Sequence, residues 1–260
     1  MFDLWTKNWR RKRILRQPIP ARWPEILAKT FWYWHVLTPA QQARLLSLIA
    51  IFLREKEVVV PGNVKDPEGA KVTVAAAACL MLLGFDDWYC FDRITTVVLS
   101  TRPIVNQMPV PGTPGVVGDF PATGVYTSGS PVQLSWPDVA EECRDPASYQ
   151  NVVVHEFAHH IDDLDGSLAG DPPFPSTRLV KLWEEVSAEE LELLQQQTER
   201  GEDTVLDAYG TSDPVEFFAV TCESFFCNPN SLYESHPRLF SLLQTLFRLD
   251  PRQWFEDERP

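Results

Sequence analysis

The chain has 260 residues, 44% of them hydrophobic and 23% charged, a balance that suits one large or two small globular domains and excludes disorder as the dominant state. Its 36 acidic against 23 basic residues give a net charge of −13, which argues against gripping phosphate backbones, so no direct nucleic-acid partner is expected. No apolar run approaches the ~20 residues of a membrane span, and the five scattered cysteines (Cys79, Cys90, Cys143, Cys222, Cys227) contain no C-x-x-C pair.

Residues 1–23 carry Lys7, Arg10, Arg11, Lys12, Arg13 and Arg16, with prolines rather than an apolar stretch behind them. They read as a weakly ordered basic arm without a secretory signal, which places the chain in the cytoplasm. Residues 23–34 are aromatic-rich and helical. Thr38 and Pro39 then form an N-cap and first turn, and Leu45, Leu46, Ile49, Phe52 and Leu53 mark one buried helix face. Residues 55–60 lead into a short strand, and 68–83 form a helix with Gly84 as its C-terminal stop. The β-branched run 93–100 is a strand. Residues 101–130, rich in Pro and Gly, form a long loop with a strand inside it, and in 131–136 Val132 and Leu134 alternate with Gln133 and Ser135 as a half-buried strand. Helices follow over 150–164, 179–197, 214–226 and 237–248, with Asp165-Gly166 stopping the first and Asp213-Pro214 opening the third. Strands and helices in the middle, then helices only, indicate an α+β fold. Residues 24–255 are expected to form a single domain whose first part, about 24–90, is helical.

The chemistry centres on His155-Glu156-Phe157-Ala158-His159. Residues four apart share a helix face, so His155 and His159 can present two imidazole nitrogens to one Zn²⁺ ion. Glu156, one residue on, leans over that ion as a general base for its water. His160 faces away from the pair. A catalytic zinc needs a third protein ligand. Asp162 shares the face of the pair, but three ligands on one helix line up along its axis, so it is better suited to support a ligand His or cap nearby backbone. Glu216 and Glu223 lie seven apart on the apolar helix 214–226, where a buried carboxylate needs a partner. One of them is free to ligate the metal while the other holds a His ring. Tyr209 precedes Glu216 by seven residues, and a phenol near zinc can steady an oxyanion.

HEFAHHID followed by DAYGTSDPVEFFAVTCESFF resembles the Mlc titration factor A family of zinc peptidases, relatives of the anthrax lethal factor catalytic domain, over about residues 18–253. The resemblance implies a zincin-like fold, mostly helical, with a small mixed sheet beside the active-site helix. It implies one Zn²⁺ per chain held by His155, His159 and Glu216, with Glu156 as base. Tyr209 then takes an oxyanion-stabilising or substrate-orienting role, and Glu223 matches a further acidic position. Cys222 stands where relatives carry Ser. The expected activity is hydrolysis of peptide bonds, aminopeptidase-like on small substrates, with Val132, Gln133 and Leu134 offering a strand edge to substrate backbone. Two other readings stand beside it: a binding protein that sequesters a transcriptional repressor through the same fold, and a structural metal site closed by a fourth protein ligand.

Overall fold

Side-chain caps and prolines start most of the helices. The computed structural model describes residues 2–85, 87–109 and 117–255. Helices α1 (Phe2–Ile14), α2 (Arg22–Thr30) and α3 (Pro39–Glu55) precede strand β1 (Glu57–Val59) and helix α4 (Pro67–Leu80). Strands β2 (Thr96–Ser100), β3 (Ile104–Pro109), β4 (Val117–Ala122), β5 (Gly124–Val125) and β6 (Val132–Ser135) follow. Then come α5 (Trp136–Glu142), α6 (Val152–Asp162), α7 (Thr177–Glu199), α8 (Pro214–Cys227), α9 (Pro229–Ser235) and α10 (Pro237–Phe247). The α+β order is as the sequence indicates.

Thr38 and Gln41 form a reciprocal capping box on α3, each side chain accepting from the other's backbone N–H. Asp66 caps α4 through the Gly69 N–H at 3.0 Å. Gly84 does not act as a left-handed stop. It is glycine because the backbone carbonyls of Phe247 and Arg248 occupy the space where a Cβ would sit. The helix ends earlier, at Leu80, and the chain leaves it through a short turn.

β1, β2 and β6 run parallel, and β5 pairs antiparallel with the outer side of β6, giving the order β1-β2-β6-β5. β3 and β4 make a separate antiparallel hairpin. The Pro/Gly-rich stretch therefore holds three strands where one was expected. β6 has both edges paired, with Val97 opposite Val132 on one side and Gly124 opposite Leu134 on the other. The free edge expected at Val132, Gln133 and Leu134 therefore belongs to β5. Val132 and Leu134 are fully buried beneath α6, and only Gln133 is exposed.

The basic arm is also different from its expectation. Residues 2–14 form α1, and Arg11 is only 3% exposed. Its guanidinium holds both oxygens of Glu55, the Asp92 carboxylate and the Trp88 carbonyl at 2.8 Å. Two carboxylates on separate elements fix a helix that its own local sequence does not. Burial works against ionising Glu55 and Asp92, but the Arg11 hydrogen bonds prevail and hold both below the ordinary carboxylate range. Lys56, also buried, donates to the Phe91 and Ile94 carbonyls at 2.7 and 2.9 Å. Phe91 sits at φ 49°, a left-handed conformation that a bulky side chain rarely adopts. Its ring meets Phe157 of α6 edge-on, centroids 4.6 Å apart.

Arg11→Ala should lower the free energy of unfolding by about 3 kcal/mol, because it removes the buried partner that two carboxylates share and leaves Glu55 to Arg10 at 2.9 Å and Asp92 to Lys7 at 3.7 Å. In denaturant titrations the gap from the parent should hold at neutral pH and narrow as the pH falls below about 4, since a depressed carboxylate loses its contribution on protonation.

Candidate metal centre

Asn151 caps α6 by accepting the Val154 N–H at 3.2 Å, and Val152, Val153 and Val154 bury the first turn. One turn of helix then places His155 and His159 with their rings 4.9 Å apart and nearly perpendicular. α8 packs along α6. Asp213 fixes the start of α8 by accepting the Val215 and Glu216 N–H groups at 2.8 and 3.0 Å, which sets Glu216 in its first turn. Glu216 Oε2 lies 2.9 Å from His155 Nε2 and 3.5 Å from His159 Nε2.

Each of these three residues offers one ligand atom, all within 4.8 Å of one another. Ligands ~2.0–2.2 Å from one tetrahedral ion lie about 3.3–3.5 Å apart, so the donor set and its spacing fit a single metal ion. His159 is buried, whereas the side chains of His155 and Glu216 keep 12% and 17% exposure, an opening toward solvent.

Glu223, two turns along α8, supports this set. Its Oε2 is 2.9 Å from His155 Nδ1, and its Oε1 accepts the Asn151 N–H at 2.8 Å. An Nδ1–H donated to Glu223 leaves His155 Nε2 with its lone pair toward the metal position. Burial disfavours the imidazolium of His155, but Glu216 and Glu223 outweigh it and hold its pKa well above the ordinary value. Burial alone would raise Glu216, and the two imidazoles instead hold it far below the carboxylate range. A site that concentrates this much negative charge around two imidazoles favours a cation.

Glu156 is 5% exposed and its carboxyl is pushed up to about 8, by burial first and then by the Glu216 and Glu223 carboxylates, against the opposing His155. The backbone N–H of Tyr126 donates to it. Gly124 of β5 lies so close that a Cβ there would come within 3.0 Å of the Glu156 side chain. Tyr209 stands on the 3₁₀ turn Ala208–Thr211, which Asp207 caps by accepting the Tyr209 N–H at 2.8 Å. Its ring is 6.0 Å from that of His155 and half-exposed. Burial, then Glu216 and Glu156, raise its phenol and keep it protonated at neutral pH.

Of the two roles open to Asp162, capping backbone is the one observed. Its Oδ2 accepts the Gly170 N–H at 2.7 Å and its carboxyl is raised to about 6, chiefly by burial. His160 faces away from the metal position as helical geometry requires, but into protein and fully buried. Tyr126 donates its one hydroxyl proton to Asp163 at 2.8 Å, so His160 Nδ1 must be the donor in its 3.3 Å contact with that hydroxyl. Burial, then Lys56, lower the pKa of His160 to about 4, so the ring is neutral and its Nε2 accepts from Tyr89 at 3.0 Å. Ser128 also donates to Asp163, at 2.6 Å, and Arg93 binds the Asp163 and Leu164 carbonyls at 2.5 and 2.7 Å. The Tyr126 ring stacks on His159 with centroids 6.2 Å apart.

Tyr126 therefore reaches Glu156 through its backbone, His159 through its ring and the end of α6 through its hydroxyl. Sequence reasoning missed it together with Gly124 and Asp163. The sole signal was Gly124-Val125-Tyr126 at the end of a Pro/Gly-rich stretch, and a strand that short has no periodicity to read.

Glu223→Ala should lower metal affinity about 10–100-fold, as measured by competition with a chromophoric chelator, because His155 loses the carboxylate that fixes its ring. Gly124→Ala should destabilise the fold by roughly 1–3 kcal/mol in chemical denaturation, the usual range for forcing a methyl group into filled space.

Comparison with known proteins points to a metallopeptidase family. The sequence profile of the family described as glucose-regulated metallo-peptidase M90 matches residues 6–248. An uncharacterized protein of Synechocystis is 28% identical over 249 residues, covering 94% of this chain and 90% of that protein. Mlc titration factor A of Salmonella arizonae is 29% identical over 250 residues, 89% of this chain and 98% of that protein. The protein of the same name from Escherichia coli is 29% identical over 222 residues, covering 84% and 82% of the two chains. With a profile match that spans nearly its whole length, this chain belongs to the glucose-regulated metallo-peptidase M90 family.

Proposed function

We propose that the protein is a zinc-dependent peptidase that hydrolyses peptide bonds, with aminopeptidase-like action on small substrates. The observation that carries this reading is the meeting of His155, His159 and Glu216 at one point with Glu156 beside them. Two nitrogen donors and one carboxylate, with exposure left on one side, match the three-ligand pattern of catalytic rather than structural zinc. This favours the catalytic reading over a closed structural site. When bound there, Zn²⁺ supplies a lowered water pKa of ~7 and polarisation of the scissile carbonyl.

The chain's own groups do the rest. With a cation at the centre favouring its ionised form, Glu156, buried against Gly124, would take the proton from the attacking water and return it to the leaving amine. Tyr209, protonated and beside Glu216, donates its phenolic hydrogen to the developing oxyanion. Glu223 fixes the ring of His155. Tyr126 holds the Glu156 carboxylate from its backbone and braces His159 from its ring. The outer edge of β5, next to Glu156, offers backbone groups to an extended peptide. No described helix is long and apolar enough to cross a membrane. We place the protein in the cytoplasm, supported by its five free, buried thiols, the form that a reducing compartment maintains.

A second reading takes its support from the relatives' name, Mlc titration factor A. In it, the chain binds a transcriptional repressor through the same fold. Glu156→Gln separates the two. The variant should retain stoichiometric metal by elemental analysis and lose at least about a hundredfold in hydrolysis of chromogenic amino-acid and peptide substrates. A chelator should abolish the parent's activity. Full activity in the variant would remove Glu156 as the base, and repressor binding undiminished by the substitution would favour the second reading.

A further inference from the structure

Glu156 takes its place from backbone rather than from another side chain. The Tyr126 N–H donates to its carboxylate, and Gly124 packs so closely against it that no Cβ would fit between them. Both residues belong to the segment 123–128, which has little hold of its own. β5 is two residues long and pairs only Gly124 with Leu134 and Val125 with Gln133. The Thr123 carbonyl adds one bond, accepting the Ser135 N–H at 2.7 Å. So short a strand at the end of a sheet opens readily unless something else fastens it.

The fastening is Asp163. Its Oδ2 accepts both the Tyr126 hydroxyl at 2.8 Å and the Ser128 hydroxyl at 2.6 Å. The Tyr126 hydroxyl also accepts from His160 Nδ1 at 3.3 Å, so its donor direction is fixed toward Asp163. Asp163 is 3% exposed and is itself held, since Arg93 donates to its carbonyl at 2.5 Å and to that of Leu164 at 2.7 Å. It follows Glu156 by seven residues, where α6 passes into the 3₁₀ turn Asp163–Asp165. Anchor and base therefore ride on one continuous helical element. The segment 124–128 spans from one to the other, closing a ring of contacts from Glu156 through the Tyr126 backbone, the Tyr126 hydroxyl, Asp163 and back along α6.

We infer that Asp163 is a positioning residue for Glu156: through the Tyr126 and Ser128 hydroxyls it holds the 124–126 backbone against that carboxylate, and so sets where the carboxylate meets the attacking water. The role of Glu156 as base rests on the peptidase reading, whereas the clamp can be measured without hydrolysis. In the zinc-loaded protein, Asp163→Ala should lower kcat about tenfold with KM within about twofold, because a displaced base slows proton transfer without weakening substrate binding. Asp163→Asn, whose amide oxygen still accepts from both hydroxyls, should keep kcat within about threefold of the parent. Tyr126→Phe, which keeps ring and backbone but loses the hydroxyl, should lower kcat less than Asp163→Ala and combine with it non-additively. In a Glu156→Gln background, Asp163→Ala should lower the residual rate by less than about twofold, since it acts only through that carboxylate. Amide hydrogen exchange should show Tyr126 losing about tenfold of its protection in Asp163→Ala, with His159 and Ile161 of α6 unchanged. If Asp163→Ala does not fold, Asp163→Asn and Tyr126→Phe carry the same comparisons.

Equal losses in the parent and Glu156→Gln backgrounds, or a loss confined to KM, would overturn the inference. So would a lowered zinc affinity in Asp163→Ala, which would make the Tyr126 ring on His159 the route instead. Selective loss of Tyr126 protection in a chain that cleaves no peptide would keep the clamp and remove the peptidase reading. Hydrolysis undiminished by Asp163→Ala would keep that reading and remove the positioning role.

Discussion

The site depends on the placement of one imidazole between two carboxylates. His155 faces Glu216 through Nε2 and Glu223 through Nδ1, and both acids come from α8 while the ring comes from α6. The seven-residue spacing of Glu216 and Glu223 puts them two turns apart on one face, so a single helix packing brings both to the ring. That packing is itself apolar. Phe217, Phe218, Val220, Phe225 and Phe226 of α8 are buried, as are Val152, Val153, Val154 and Phe157 of α6. Hydrophobic burial thus sets the distance at which the polar groups meet, and the polar groups set the rotation of the ring. Neither alone would yield a donor set of fixed geometry.

The same packing leaves the site heavily anionic. Glu156, Glu216 and Glu223 stand around two imidazoles, and they respond in opposite ways. Glu216, in contact with the rings, is held ionised, whereas Glu156, buried against β5 and repelled by the other two acids, binds its proton more tightly. Environment, not residue type, divides these carboxylates into a ligand and a proton carrier.

What the sequence made legible was local. Spacings of four and seven on uninterrupted helices found His155, His159, Glu216 and Glu223, and Asp213-Pro214 announced the helix that delivers the two acids. Tertiary partnership was not legible. The alternation in β6 was read correctly as half-buried, yet alternation is the same for an edge strand and an interior one, so β5 went unnoticed as its outer neighbour. Arg11 belonged to a run of cations with no local sign of order, because the groups that bury it, Glu55 and Asp92, lie 44 and 81 residues away. Gly84 carried a helix-stop signal for an unrelated reason, the approach of the chain at Phe247.

The segment from Trp88 to Ile94 joins two of these features. On one side Arg11 and Lys56 grip its Trp88, Phe91 and Ile94 carbonyls. On the other, Tyr89 binds His160 and Arg93 binds the carbonyls that follow α6. A left-handed phenylalanine persists between them because it is over-determined from both directions. The first helix of the chain and the far end of the histidine-bearing helix are consequently anchored to opposite sides of one short segment, so the former has a continuous physical connection to the latter.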